Sequence, residues 1–248
     1  MKNSEIAKLN LISERSRYAE GVMPDAIRYC FGILNRNLRP GSILELGPAE
    51  GVMTEQLVRT GRHLTLVEGS VTFCRSLRER FPSASVVNEL FENFRPEKKF
   101  DNIVMGHVLE HVVDPQEVLQ RAVSWLAPGG MVFAAVPSSN SLHRQAAVIM
   151  GLLSTPDELN DRDKHHGHRR VFSPESFRNL FLSAGYVIES SGAYWLKPVS
   201  NSQIDDSWNQ RMVAAFLELG ERYPDIAAEI YIVATHGERF PIDGSVAA

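Results

Sequence analysis

The stretch Ile43-Leu44-Glu45-Leu46-Gly47-Pro48-Ala49-Glu50-Gly51 decides how this chain is read. A short apolar run carrying an acidic residue turns through glycines and enters the amphipathic segment Met53 to Thr60. That order predicts a strand, a tight turn and a helix start, the usual cradle for a nucleotide-like ligand at the carboxyl end of a parallel strand. A dinucleotide fingerprint needs glycines at 47, 49 and 52, where this chain has Gly47, Ala49 and Val52. A phosphate-binding loop needs a lysine after its last glycine, and Gly51 is followed by Val52. Glu45 and Glu50 would repel a pyrophosphate at the helix N-terminus. The expected ligand is phosphate-free and positively charged.

Three further segments follow in order: His63-Leu64-Thr65-Leu66-Val67-Glu68, then Phe100 to Val112, then Leu126-Ala127-Pro128-Gly129-Gly130-Met131-Val132-Phe133. With the glycine turn, they resemble the motifs of class I S-adenosylmethionine-dependent methyltransferases over residues 40–137, in particular the small-molecule, quinone-precursor O-methyltransferase-like group. The resemblance implies a three-layer Rossmann-like α/β fold, with a seven-stranded mostly parallel sheet, an antiparallel last strand and helices on both faces. It implies S-adenosyl-L-methionine as cofactor, leaving as S-adenosyl-L-homocysteine. The residues it assigns to the cofactor are Glu45, Gly47, Pro48 and Gly51 in the turn, and Glu68 and Gly69 at the ribose. Glu89 and Leu90 fall at the adenine, and Gly106 and His107 follow the fourth strand.

The chain's 248 residues, 44% of them hydrophobic, suffice for one α/β domain with extensions. A net charge of -4, with no basic run interleaved with aromatics, argues against a nucleic-acid partner. Cys30 and Cys74 have neither metal nor redox spacing and are expected to be buried free thiols of a reducing compartment. The N-terminus lacks the apolar core of a signal peptide, and no apolar run approaches membrane-spanning length. A cytoplasmic protein without a membrane partner, monomer or homodimer, is expected.

Residues 1–39 read as an N-terminal helical cap of two helices broken near Gly21 and Pro24, and residues 40–240 as the methyltransferase domain. Strands near 42–46, 63–67, 85–87, 101–105 and 130–136 alternate with helices near 53–60, 72–81 and 114–126, which implies a parallel sheet. Asp114-Pro115 and Ser173-Pro174-Glu175 signal helix starts. Tyr186–Ser191 and Glu229–Thr235 read as late strands around a helix from Trp208 to Gly220, and the last eight residues are expected to fray. The long, irregular stretch at about 138–172 lies past the fifth strand and is expected to form a substrate lid.

Methyl transfer asks the protein to align an acceptor, exclude water and, for a hydroxyl acceptor, take a proton. The lid histidines His168 and His166 are candidate bases, His168 first, with His111 as the second choice. Solvated loop histidines holding backbone carbonyls are the plainer reading. His107, Glu110 and His111 fall at i, i+3 and i+4 on the helix expected after the fourth strand, so they share one face. Quinone-precursor methyltransferases carry Glu-x-x-Glu-His there and the triad could hold a divalent metal, but His107 departs from that pattern. The favoured reading is therefore that His107 lines the cofactor through its backbone, that Glu110 and His111 brace a helix cap, and that no metal binds. Asn140, His143, Arg169, Tyr194 and Trp195 are candidate substrate contacts, with Phe172 and Trp208 adding to an aromatic wall and Lys197 a cation at its rim.

The expected function is methyl transfer to an oxygen or nitrogen of a small metabolite, in secondary-metabolite, cofactor or sugar biosynthesis. Its rivals are a non-catalytic cofactor-binding scaffold, a protein or RNA methyltransferase, and an NAD-dependent dehydrogenase. The missing Asn-Pro-Pro-Tyr quartet weakens the macromolecular rival, and Ala49 with Val52 weakens the last.

Overall fold

A computed structural model describes residues 2–13, 16 and 19–237; the C-terminal residues expected to fray lie outside the described residues. The chain opens with α1 (Lys2–Ser13) and α2 (Met23–Asn35), then runs β1 (Ile43–Leu46), α3 (Val52–Val58), β2 (Leu64–Glu68), α4 (Val71–Arg80) and β3 (Ser85–Asn88). It continues as β4 (Phe100–Gly106), α5 (Pro115–Trp125), β5 (Leu126–Pro137), α6 (Leu142–Ile149), α7 (Asp161–His166) and α8 (Pro174–Ser183). Last come β6 (Val187–Tyr194), α9 (Asn201–Ser207), α10 (Gln210–Arg222) and β7 (Glu229–Thr235).

One seven-stranded sheet has the order β3-β2-β1-β4-β5-β7-β6. The pairs from β3 to β5 are parallel, and β7 runs antiparallel to both β5 and β6. Strands covered on both faces read as continuous apolar runs. Leu44, Ile103, Met105, Val132 and Ala134 enter one core cluster, while their neighbours Ile43, Val104, Met131, Phe133 and Ala135 enter the other. Both signalled helix starts form: Asp114 accepts from Glu117 N ahead of Pro115, and Ser173 makes a capping box with Ser176 ahead of Pro174. Cys30 and Cys74 are buried free thiols. Among the described residues, no helix is long and apolar enough to cross a membrane.

Two local expectations differ from the structure. The segment after β4 is a turn, not a helix, until Pro115. Arg170 explains why: its guanidinium donates to the carbonyls of Leu109, Val112 and Val113, which a helix would have used internally. The stretch 138–172 is not irregular throughout, because it contains α6 and α7. Its ends meet, with Ser138 bridged to Phe172 and Ser139 N donating to Phe172 O at 2.8 Å.

Candidate active site

The carboxyl ends of β1, β2 and β4 open on a cavity of about 170 Å³. Gly47 (φ 62°) and Gly51 (φ 77°) take left-handed conformations in the turn above it, and a Cβ on Gly47 would come within 3.1 Å of Val108. The strand tips place Glu45 and Glu68 in its wall. Glu45 Oε2 accepts from Thr54 Oγ1 at 2.7 Å, yet burial, with the nearby charge of Glu68, pushes its pKa up to about 8. Glu68 accepts from Ser70 N at 2.8 Å and Ala49 N at 3.3 Å, and burial still carries its pKa to about 7. Pro48, Gly69 and Gly106 line the same cavity. So do His107 and, from the loop after β3, Glu89 and Leu90; Glu89 N donates to Glu68 O at 3.1 Å.

Two buried carboxylates with raised pKa values suit a ligand that brings cations and hydroxyl donors, which is what S-adenosylmethionine offers. Replacing Glu68 with alanine is expected to weaken S-adenosylhomocysteine binding by about 1–3 kcal/mol, read by calorimetry; an unchanged Kd would remove Glu68 from the site. Since the ligand favours ionised carboxylates, wild-type affinity should rise with pH up to about 8 and then level off.

The helix α1 lies over this cleft. Leu9 and Ile12 line it, and Asn10 Oδ1 accepts from Ser70 Oγ and Val71 N, each at 3.2 Å. Glu5 takes both its bonds from Arg169 Nη2, at 2.8 and 3.0 Å. Arg169 also donates from Nε to His111 O at 2.8 Å. Arg169 therefore latches the cap to the lid and the turn. It lines neither cavity, so its expected substrate contact is corrected to a structural one.

Beyond His107 lies a second chamber of about 80 Å³, walled by the lid, the start of β7 and the segment after β6. His107 and His166 line both cavities, which meet there. His107 takes a left-handed φ of 58°. Its Nδ1 stands 3.5 Å from Glu110 Oε1 and 3.8 Å from Glu229 Oε2, and its Nε2 is 3.4 Å from Tyr194 Oη. Burial opposes a charge on this ring, but Glu229 and Glu110 outweigh it and lift the pKa to about 9. His107 is an imidazolium at neutral pH.

The lid places His168 in the chamber wall, with its Nδ1 3.3 Å from Asp163 Oδ1. Asp163 is bound by Arg144 Nη1 at 3.0 Å and caps α7 together with Asn160. Burial pushes the Asp163 carboxyl up, but the bond with His168 and the Arg144 charge prevail and hold it at about 2. Asp163 escaped the sequence reading, although Asn160-x-x-Asp163 is a capping-box pattern four residues long. His111 packs edge-on against His168, ring centroids 4.7 Å apart. Burial lowers His111 and His166 to about 4, so both rings are neutral at neutral pH.

Among the expected substrate contacts, His143 and Trp195 line the chamber. Asn140 is exposed and lines neither cavity. The aromatic wall does not assemble. Tyr194 is fully buried and stacks on Tyr29, Phe172 packs on Phe177 in the core, and Trp208 packs on Phe216. Tyr194 and Phe172 are held in the core, and Trp208 is half-buried between α9 and α10.

The metal question turns on donor chemistry. Ligand atoms of Glu110, His111 and His168 lie within 4.8 Å of one another. One carboxylate and two imidazoles form a set poorer in oxygen than Mg²⁺ takes. The Glu110 carboxylate is moreover already neutralised by the His107 imidazolium beside it. These residues do not fit a hard divalent cation.

A family model described as a methyltransferase domain matches residues 15–191, more than half of the chain. Fold, cleft and match define the class: the chain belongs to this methyltransferase family. Its curated relatives include proteins described as ubiquinone biosynthesis O-methyltransferases. It is 23% identical to a ubiquinone biosynthesis O-methyltransferase of Aeromonas salmonicida, over 64% of this chain and 68% of the relative. It is 26% identical to the protein of the same description in Methylobacterium, over 64% of this chain and 65% of that one. The fold is shared with a 1,6-didemethyltoxoflavin-N1-methyltransferase of Burkholderia thailandensis, at TM-score 0.63 and 15% identity, covering 96% of this chain and 87% of that one.

Proposed function

We propose that the enzyme methylates a hydroxyl oxygen of a small metabolite seated in the second chamber, with His168 as general base. The observation that carries this reading is the meeting of the two cavities at His107, with the Asp163–His168 pair in the wall of the acceptor side. When bound, S-adenosylmethionine supplies a sulfonium methyl group as electrophile. His168 accepts the proton that leaves the acceptor hydroxyl, and Asp163 fixes the ring's orientation and its tautomer. The Asp163 carboxylate stabilises the imidazolium so formed. Glu45 and Glu68 hold the cationic cofactor, and α1 keeps water from the cleft.

The relatives described as O-methyltransferases support oxygen as the atom methylated. The test is incubation with S-adenosylmethionine and a panel of phenols and hydroxy acids, following methylated product and S-adenosylhomocysteine by mass spectrometry. O-methylated product from at least one is expected. Cofactor binding without any O-methylated product would overturn the reading and leave the scaffold alternative in its place.

A further inference from the structure

The chamber wall contains more hydrogen-bonding capacity than the protein itself uses. Lys197 lines it, yet among the described residues its ammonium makes no hydrogen bond and no ion pair. Its one close partner is the Trp195 ring, 4.9 Å from Nζ to the centroid. Trp195 Nε1 and His143 Nδ1 are buried without a hydrogen-bond partner, and so are Asn201 Oδ1 and Glu229 Oε2. All four residues line the same chamber. Trp195 is 1% exposed, so its indole N–H has no access to bulk water.

A plainer role for Lys197 is to balance Glu229. The geometry is against it, because Glu229 Oε2 stands 3.8 Å from His107 Nδ1, and among the described residues no ion pair joins it to Lys197. Arg144 is likewise committed, to Asp163 and to the carbonyls of Pro156 and Glu158. An ammonium, an indole N–H and an imidazole nitrogen thus remain for whatever occupies the chamber. We propose that Lys197, with Trp195 Nε1 and His143, seats the carboxylate of a small acidic acceptor. The inference rests on the reading of this chamber as the acceptor site.

A monoanion fits better than a phosphate, since Glu229 stands in the same wall and would repel a second negative charge. Glu229 Oε2 and Asn201 Oδ1 are acceptors, so they suit hydroxyl or amine donors on the same molecule. Burial depresses the Lys197 pKa to about 8 against the pull of Glu229, as expected of an ammonium lacking a contacting anion. The acceptor is therefore a compact hydroxy acid that matches a chamber of about 80 Å³.

Calorimetry on the S-adenosylhomocysteine-saturated protein tests this with benzoate, 4-hydroxybenzoate and 3,4-dihydroxybenzoate, each against its methyl ester. At least one acid is expected to bind about tenfold or more tightly than its ester, the gap closing in Lys197→Met and partly surviving in Lys197→Arg. No acid outbinding its ester, or a gap that persists in Lys197→Met, would overturn the proposal. Should Lys197→Met fail to fold, Lys197→Gln replaces it, and the wild-type comparison of acid with ester decides by itself. Loss of S-adenosylhomocysteine binding by the wild type would sink the methyltransferase reading. Retained binding without acid preference would sink this inference alone.

Discussion

Replacing His168 with alanine is expected to lower turnover by about 10²- to 10⁴-fold, the usual worth of a general base, with S-adenosylhomocysteine affinity almost unchanged. The separation follows from position, since His168 lines only the chamber, while the carboxylates proposed to hold the cofactor lie across His107 in the other cavity. The competing bases are poorer ones. His111 and His166, with pKa values near 4, are neutral but hold a proton weakly. His107, at about 9, is already protonated at neutral pH. Asp163→Asn should lower kcat with KM little changed, because the ring loses the carboxylate that orients it and stabilises the imidazolium formed in turnover. A merely structural role for Asp163 would lower the melting temperature and leave kcat of the folded enzyme in place. If His168→Ala turned over at the wild-type rate, the base would pass to His111, and an equal loss in His111→Ala would identify it.

Local signals were legible in the sequence, and long-range ones were not. The glycine turn, Glu68 and the capped starts of α5 and α8 are each written within a few consecutive residues, and each stands where those residues require. The expected cofactor residues all line one cavity because every one sits at or just past a strand tip of the parallel sheet. The chamber has no such signature. Trp195 and Lys197 follow β6, and they meet Glu229 through an antiparallel register that pairs Tyr194 with Glu229. That register is set by which faces of β6 and β7 are buried, and no motif announces it. Nor could spacing show that Arg169, read as a substrate contact, is consumed by Glu5, or that Arg170 is consumed by the carbonyls of the turn after β4. Glu229 had a faint cue in an acidic residue heading an apolar strand, as Glu45 has within β1.

The corner that carries Trp195 into the chamber leads to the largest expected effect on stability. Trp195 has a left-handed φ of 67°, uncommon for a bulky residue, and three backbone bonds hold it there. Trp195 N donates to Leu217 O at 3.0 Å, Leu196 N to Phe216 O at 2.7 Å, and Ala228 N to Trp195 O at 2.8 Å. Such an approach of α10 to the corner is open only to a glycine at 220. A Cβ there would lie 2.1 Å from Trp195 N and 2.3 Å from the Tyr194 carbonyl carbon, and both are backbone atoms that no rotamer change can move. Gly220→Ala should therefore destabilise the fold by roughly 3 kcal/mol or more in denaturant titration. The same change at Gly32, an exposed position inside α2 with nothing within 4 Å of its Cβ, should instead stabilise by about 0.5–1 kcal/mol through helix propensity. Opposite signs for one chemical substitution isolate the steric cause, and equal effects at both sites would refute it. Any Gly220→Ala protein that still folds should keep its S-adenosylhomocysteine affinity and lose acceptor binding, since displacing the corner deforms the chamber and leaves the cleft at the strand tips intact.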